Sequence, residues 1–252
     1  MLKTRIIPTL LFKGVGLVKG VAFDSWRRVG AALQSIRVYN LRDVDELIFV
    51  DIGATPNKAR PDFREIDELA DNCFMPMTVG GGVKTIADIR DLLAVGADKV
   101  AINPAAVDTP ELVRDGAREF GAQCIVVSID IRRRGDGTPE VVTHCGRTGT
   151  GRHPVEWAKS LEALGAGEIL LTSVDRDGTM TGYDIDLVRA VAAAVNVPVI
   201  ASGGCGNYGH MAEVLAGTRA SALAAASIFH FTEQTPREAK SYLAARGFRV
   251  RH

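Results

Sequence analysis

The feature that most constrains this chain is a set of eight short apolar runs separated by longer amphipathic segments. Most runs are apolar almost throughout, as expected for parallel strands that are covered on both faces. Eight strands that alternate with helices over 252 residues predict a (β/α)8 TIM barrel, with residues 1–252 as a single domain. The runs span residues 5–11, 46–52, 74–82, 97–103, 123–131, 168–174, 197–204 and 220–228.

The segments between the runs carry helix signals. Residues 85–96 open with Thr85, which can cap a helix, and end at Gly96. Residues 108–121 have Asp108 or Thr109 for a cap, with a proline close to the first turn. The alternative fold is a doubly wound open sheet, which predicts fewer strands and no internal repeat.

An internal repeat favours a barrel built of two similar half-barrels. Residues 78–100 resemble residues 200–223, and each segment reads strand, glycine turn, helix, strand. Gly81 and Gly203 are separated by 122 positions (203 − 81), as are Glu46 and Glu168 (168 − 46). The first run aligns with residues 123–131 in the same way, which brings Leu11 opposite Asp130.

Composition excludes several classes of function. Lys plus Arg equals Asp plus Glu at 30 each, which argues against a nucleic-acid or polybasic membrane partner. No apolar run is long enough to span a bilayer, and the first residues lack a signal-peptide pattern, so we expect a cytoplasmic protein. The four cysteines lack CxxC spacing, and we expect neither a metal site nor a cofactor.

The upper rim of the predicted barrel carries candidate phosphate turns. Active sites of this fold lie at the carboxyl ends of the strands, and glycine turns there let backbone N–H groups approach an anion. Glycine pairs from opposite halves predict a small molecule with a phosphate at each end. The alternative is that these glycines only form tight turns. The candidate residues are Gly81, Gly82, Asn103, Asp177, Gly178, Gly203, Gly204 and Ser227.

Three charged residues of the upper rim are candidates for chemistry or substrate contact. Asp130 ends the fifth run and is suited to general acid–base catalysis, or alternatively to a structural salt bridge. Asp51 ends the second run and could contact substrate hydroxyls. Lys19 follows the first run in what we predict to be a mobile loop, where it reaches a phosphate or is simply solvated.

The lower rim is predicted to carry a ring of alternating charge. Arg5, Glu46, Lys99 and Glu168 stand at or near the starts of the first, second, fourth and sixth strands. Charged residues at strand starts usually form a solvated rim. A ring of this kind, remote from the upper site, indicates a gate for a small molecule or a docking face.

These motifs together resemble the HisF family, the cyclase subunits of imidazole glycerol phosphate synthase. The resemblance covers essentially the whole chain, and the related HisA isomerases match less well. Its most specific motifs are GEILLTSVDRDGT (167–179) and ASIFHF (226–231), accompanied by ELIFVDI (46–52), TVGGGVKT (78–85) and GADKVAIN (96–103).

The resemblance implies a glutaminase partner of the HisH type at the lower face. Ammonia then passes the charged ring, runs up the barrel and attacks a bis-phosphate ribonucleotide, which is cleaved and cyclised. The family positions match Arg5, Glu46, Lys99 and Glu168 for the gate and Asp98 for the partner interface. One of the two catalytic aspartates matches Asp130 and the other falls on Leu11.

Departures from the family pattern cluster in the first half-barrel. Leu11 cannot transfer a proton, and the loss of one of two paired catalytic acids normally removes most of the rate. Ala101 and Pro104 replace hydroxyl residues at the first phosphate site, and Gly53 replaces a common threonine. We therefore expect the first phosphate site to be weakened and the second to be intact.

The stretch LLFKGVGLVK (10–19) is similar to HisF-like paralogues of surface-polysaccharide gene sets. That resemblance implies a barrel that supplies ammonia to a separate sugar amidotransferase. Two alternatives stay open: a genuine cyclase of histidine biosynthesis, and a non-catalytic scaffold for the partner. Whether the chain has enzyme activity of its own is left open by the sequence.

Overall fold

The computed structural model describes residues 3–14 and 16–251, and these form a closed barrel of eight parallel strands surrounded by helices. Each of the eight predicted runs contains one barrel strand or most of it. The pairing of β7 with β10 closes the circle, so the open-sheet alternative is wrong. The barrel strands are β1 (Arg5–Lys13), β4 (Leu47–Asp51), β5 (Met77–Gly80), β6 (Lys99–Ile102), β7 (Ile125–Arg133), β10 (Glu168–Ser173), β11 (Val199–Ser202) and β12 (Ala222–Ala225).

Two antiparallel extensions interrupt the simple alternation. After β1 the chain forms β2 (Gly16–Val21) and β3 (Asp24–Gly30), and after β7 it forms β8 (Pro139–Thr143) and β9 (Thr148–Gly149). The prediction of a mobile loop at Lys19 is therefore wrong. Leu17 is fully buried in the core and Lys19 is buried against an acid, and these two contacts hold β2 along β1.

The helices lie outside the barrel and begin close to the predicted positions. Thr85 caps the third helix and forms a reciprocal capping box with Asp88. The predicted cap at Asp108 or Thr109 is wrong, because those residues end the short helix before, and Pro110 stands at the cap without a side-chain bond. The helices are α1 (Ala32–Asn40), α2 (Phe63–Ala70), α3 (Ile86–Ala94), α4 (Pro104–Asp108), α5 (Glu111–Phe120), α6 (Pro154–Ala163), α7 (Ile185–Ala194), α8 (Tyr208–Gly217), α9 (Ser227–Phe231) and α10 (Pro236–Ala244).

Strand register supports the half-barrel repeat. Leu11 of β1 pairs with Val50 of β4, and Asp130 of β7 pairs with Thr172 of β10. Val50 and Thr172 are themselves separated by the repeat length of 122 positions (172 − 50). The register therefore gives Leu11 and Asp130 equivalent places in the two halves.

The core has two parts because a barrel strand presents alternate residues to opposite sides. The larger part lies between the barrel and the helices. A smaller apolar cluster fills the barrel interior and separates the lower rim from the upper rim; we call it the inner cluster. It consists of Ile7, Ile48, Ala101, Val126, Leu170, Ile200, Ala222 and Ala224. In the described part of the chain, none of the helices has the length and apolar character needed to cross a membrane.

The fold requires glycine at these turns, and a substitution at Gly203 tests that requirement. Its φ is 92°, and a Cβ atom there would lie 2.5 Å from the carbonyl oxygen of Ser173. We expect Gly203→Ala to lower the free energy of unfolding by about 2–4 kcal/mol in urea denaturation. Gly30→Ala, where a Cβ atom meets nothing within 4 Å, is the control and should cost less than about 1 kcal/mol. Equal losses of unfolding free energy in the two variants would contradict a structural requirement for glycine at position 203.

Candidate functional site

A cavity of about 630 Å³ opens at the carboxyl ends of the barrel strands. It brings together residues from both half-barrels, as the upper-rim prediction requires. The functions assigned to these residues stay predictions. The sequence-predicted residues that line the cavity, together with Leu11, are Lys19, Asp51, Gly81, Gly82, Asn103, Asp130, Asp177, Gly178, Gly203, Gly204 and Ser227.

Asp130 is the buried acid of this cavity. Its Oδ2 accepts a hydrogen bond from Nδ2 of Asn103 at 2.6 Å, and the side chain of Ser128 also favours its ionised form. Burial raises the pKa of Asp130 to about 7, because desolvation of the carboxylate outweighs the lowering effects of Asn103 and Ser128. An acid with a pKa near neutrality can both give and take a proton at physiological pH.

Leu11 leaves the opposite side of the cavity without an acid at the equivalent place. Asp177 forms an ion pair with Lys19 at 2.6 Å, and its pKa is raised by burial. Asp51 uses Oδ1 to accept bonds from the N–H groups of Gly53 and Ala54 at 2.8 and 3.2 Å. Burial also raises the pKa of Asp51. Asp177 and Asp51 already form bonds with their own neighbours, so neither acid replaces a carboxylate at position 11.

The glycine turns have a structural reason of their own. A Cβ atom at Gly81 would lie 2.2 Å from the carbonyl oxygen of Asp51, and one at Gly204 would lie 2.1 Å from that of Gly182. Both glycines also have positive φ angles. The tight-turn explanation is therefore sufficient for these glycines. Phosphate binding at the two turns stays a prediction.

The first-half turn differs from the second at the start of the following short helix. Pro104 begins α4 and lacks the N–H group that Ser227 has at the start of α9. The Asn103 amide, a candidate phosphate contact, is directed to Asp130 instead. The weakening of the first phosphate site stays a prediction.

The four predicted lower-rim charges form a closed ring, which we call the charged ring. Arg5 Nη1 lies 2.7 Å from Glu46 Oε2, and the other Arg5 nitrogen contacts Glu168. Lys99 Nζ completes the ring at 2.8 Å from Glu46 and 2.8 Å from Glu168. Burial alone would raise the pKa of Glu46, but Arg5 and Lys99 hold it below its usual range. Glu46 therefore stays ionised at neutral pH despite its burial.

Asp98 lies beside the charged ring on the same rim. Its Oδ2 accepts a hydrogen bond from the N–H group of Met77 at 2.8 Å. The residue is exposed, so its carboxylate also faces the surface where a partner is predicted to dock. Asp98 thus fixes the start of β5 and presents charge at the lower face.

Several cavity residues escaped the sequence analysis because the hairpins were not predicted. Phe23 and Trp26 come from the first hairpin, and His144 and Cys145 come from the turn of the second. Thr9 was also missed, although its spacing of two residues from Leu11 places it on the same side of β1. Within the described ranges, no three His, Cys, Asp or Glu side chains are grouped so as to hold a metal ion.

Comparison with known proteins identifies one matching family. A family model described as histidine biosynthesis protein matches residues 5–235 of this chain. The matched span includes all eight barrel strands and therefore both half-barrels.

Asp130→Asn tests the burial of the acid through the pH dependence of stability. Because the pKa of Asp130 is raised on folding, its favourable contribution is present below about pH 4 and is lost as the pH rises through 7. The variant should therefore be more stable than the wild type at pH 8, by roughly 1–3 kcal/mol, and the gain should vanish near pH 4. Urea denaturation at both pH values measures the difference in stability between the variant and the wild type.

Asp136→Asn is the matched control, because this exposed hairpin acid has a pKa lowered by bonds from Thr138. It should bring no gain in stability at pH 8. A gain from Asp130→Asn that does not change with pH would contradict the burial argument.

Proposed function

Because the chain belongs to the histidine biosynthesis protein family of HisF- and HisA-type barrels, we propose that it is a HisF-type synthase subunit of a glutamine amidotransferase complex. In this proposal a HisH-type glutaminase binds the lower face and releases ammonia, which passes the charged ring and leaves through the upper cavity. The barrel's own cyclisation chemistry is reduced or lost.

The observation that carries the proposal is the contrast between the two rims. At the upper cavity one of two equivalent acid positions holds Leu11, while Asp130 remains at the other. At the lower rim all four members of the charged ring are present and paired. A barrel that conducts ammonia needs the lower ring, whereas cyclisation also needs both upper acids.

The barrel interior suits passage of a small neutral molecule. Above the charged ring, the inner cluster is entirely apolar, and three of its members are the small residues Ala101, Ala222 and Ala224. Moving an unpaired ion into such surroundings costs far more than moving a neutral polar molecule. The inner cluster therefore favours ammonia over ammonium, provided that the charged ring opens to admit it.

An exposed apolar patch supports docking of the glutaminase at the lower face. Phe74 precedes β5 and Leu41 precedes β4, so both lie at the amino ends of the strands, and they are 85% and 78% exposed. Asn40 ties the two loops together, because its Oδ1 accepts a bond from the N–H group of Phe74 at 3.1 Å. Large exposed apolar residues beside a polar rim are typical of a protein interface.

The upper cavity supports a destination for ammonia other than the bis-phosphate ribonucleotide. Leu11 supplies no proton there, and Pro104 offers no backbone donor to a first phosphate. Together with the sequence similarity to polysaccharide-associated paralogues, this favours delivery of ammonia to a separate enzyme that amidates a sugar. We propose that this amidotransferase acts in surface-polysaccharide biosynthesis in the cytoplasm.

Turnover of the bis-phosphate ribonucleotide tests the loss of cyclase chemistry. We expect the purified chain with ammonium chloride to form no imidazole product above background, because one of the two proton-transfer groups is absent. Absorbance or chromatography of the product measures it. The chain should likewise fail to complement a histidine auxotroph, and turnover at ordinary enzyme rates would identify a genuine cyclase.

Leu11→Asp is the informative companion variant. If only the acid is missing, its turnover should exceed that of the wild type by about tenfold or more. Leu11→Asn, of similar size and without the proton-transfer group, should give no such gain. This comparison concerns only the upper site and leaves partner binding unaffected.

Lys99→Ala tests the gate. Removing the ammonium group opens the charged ring and leaves Glu46 and Glu168 paired only with Arg5. In the complex with the glutaminase and the acceptor enzyme, we expect glutamine hydrolysis to continue while a larger share of ammonia escapes into solution. The ratio of free ammonia to amidated product measures the effect.

Two further variants separate gating from docking. Lys159→Ala removes an exposed lysine of α6 that forms an ion pair with Glu156, and it should leave the ratio unchanged. Phe74→Asp should weaken association with the glutaminase by about tenfold or more, since it places a charge in the apolar patch. If Lys99→Ala leaves the ratio unchanged in a stable complex, the barrel is a scaffold and not a conduit.

A further inference from the structure

A buried ion pair lies next to the charged ring, between Lys240 of α10 and Asp45. Both side chains are buried, and Lys240 Nζ lies 3.1 Å from Oδ1 of Asp45. Lys240 Nζ also lies 3.0 Å from Oδ2 of Asp43, which is an exposed residue. Asp45 immediately precedes Glu46 in the sequence, so the buried pair is one residue away from the charged ring.

Asp45 connects the lower ends of two barrel strands. Its Oδ2 accepts a hydrogen bond from the backbone N–H group of Ile6 at 2.9 Å, in a buried environment. Ile6 immediately follows Arg5, the residue of β1 that belongs to the charged ring. Lys240 holds one oxygen of the carboxylate while Ile6 binds the other, so α10 fixes the orientation of this connection.

The half-barrel repeat shows what this carboxylate replaces. The equivalents of Ile6 and Asp45 are Ile125 (125 − 6 = 119) and Gly167 (167 − 45 = 122), at the same offsets as the other repeat pairs. In the second half these two residues are joined through the backbone, because the N–H group of Gly167 donates to the carbonyl oxygen of Ile125 at 3.0 Å. In the first half a buried side chain makes the connection.

The backbone ladder of the first half is also shorter at this rim. In the second half it begins where Val126 pairs with Glu168, whereas the described ladder between β1 and β4 begins two residues further up, where Thr9 pairs with Ile48. Pro8 lies directly below this point and has no N–H group to donate. We call the junction between residues 5–8 and 45–47 the seam. Side chains, and not ladder bonds, join its two edges.

We propose that the ion pair of Lys240 with Asp45 positions the charged ring. By holding the two edges of the seam together, it keeps Arg5 Nη1 at 2.7 Å from Glu46 Oε2 across the same junction. The positioning follows from these contacts alone. Its consequence for ammonia rests on the proposed function: loosening the seam would open the gate without removing any side chain of the charged ring.

The alternative role for this pair is simply to anchor α10 on the barrel. Anchoring by itself does not require charge, since apolar side chains of similar volume often stabilise as well as a buried ion pair does. The buried N–H group of Ile6 does require an acceptor, and an ionised carboxylate that serves it needs a counter-charge in the protein interior. Lys240 supplies that counter-charge, which links α10 to the seam.

The reactivity of the Lys99 amine tests the proposal in the isolated chain. Lys99 Nζ is held at 2.8 Å from both Glu46 and Glu168, so a loosened ring should expose it to a brief pulse of an acetylating reagent. In Lys240→Met and in Asp45→Ala we expect acetylation of Lys99 to be about threefold to tenfold faster, the range for loss of one hydrogen bond. Mass spectrometry of the digested protein measures the rate at each lysine.

Two other lysines serve as internal references. Lys19 is buried at the upper rim, so its acetylation reports global unfolding, and the exposed Lys159 reports the activity of the reagent. Asp43→Asn is the matched control, since it removes the exposed partner of Lys240 and keeps Asp45. Asp43 has a φ of 54°, which asparagine tolerates well, so this variant should react at Lys99 as the wild type does.

The two test variants decide the question independently. Asp45→Ala leaves Lys240 paired with Asp43, so it gives a result even if Lys240→Met fails to fold. Faster acetylation at Lys99, with Lys19 unchanged, supports the positioning role. Unchanged acetylation at Lys99 in a variant that unfolds at lower urea concentration would show that the pair only anchors α10. Equal increases at Lys99 and Lys19 would also overturn the proposal.

These outcomes are separable from the proposed function, because the labelling requires no partner. If Lys99 reacts faster in the variants while Lys99→Ala leaves ammonia coupling unchanged in the complex, the positioning role stands and the gate fails. If Lys99→Ala uncouples the complex while Lys240→Met and Asp45→Ala leave Lys99 protected, the gate stands and the positioning role fails.

Discussion

Closure of the barrel is the constraint on which the other features of this protein depend. Once β7 pairs with β10, every barrel strand has one side facing the interior, and residues at a spacing of two share that side. On β1 this places Arg5, Ile7, Thr9 and Leu11 in one column from the lower rim to the upper cavity. One strand thus contributes residues to the charged ring, to the inner cluster and to the upper cavity.

The two rims depart from the half-barrel repeat in different ways. At the lower rim the two acids, Glu46 and Glu168, are repeat equivalents, while their cations come from non-equivalent strands. Both cations are needed to neutralise the two buried acids. At the upper rim the repeat is broken at Leu11 against Asp130 and at Pro104 against Ser227. The ring is electrostatically complete, and the cavity is asymmetric.

Burial of Asp130 has an energetic cost that the surrounding protein does not remove. Asn103 donates a hydrogen bond to it and Ser128 also favours its ionised form, yet its pKa is raised to about 7. Its ionised form is therefore destabilised in the folded chain at higher pH. Such a perturbed acid in a cavity is typical of a functional group. Its retention opposite Leu11 is consistent with an acid that acts alone, and paired acid–base chemistry would require a second group.

The sequence by itself determined the barrel and its repeat, because apolar runs and a constant repeat length can be read directly from the order of residues. The same two patterns placed Leu11, Asp130 and the four ring residues at the ends of strands. It could not determine that Lys19 is buried against Asp177, since that contact joins residues 158 positions apart through an unpredicted hairpin. It also could not decide why Gly81 and Gly203 are glycines. Only the tertiary structure decided that backbone oxygens crowd both glycines, because this crowding depends on the approach of distant segments of the chain.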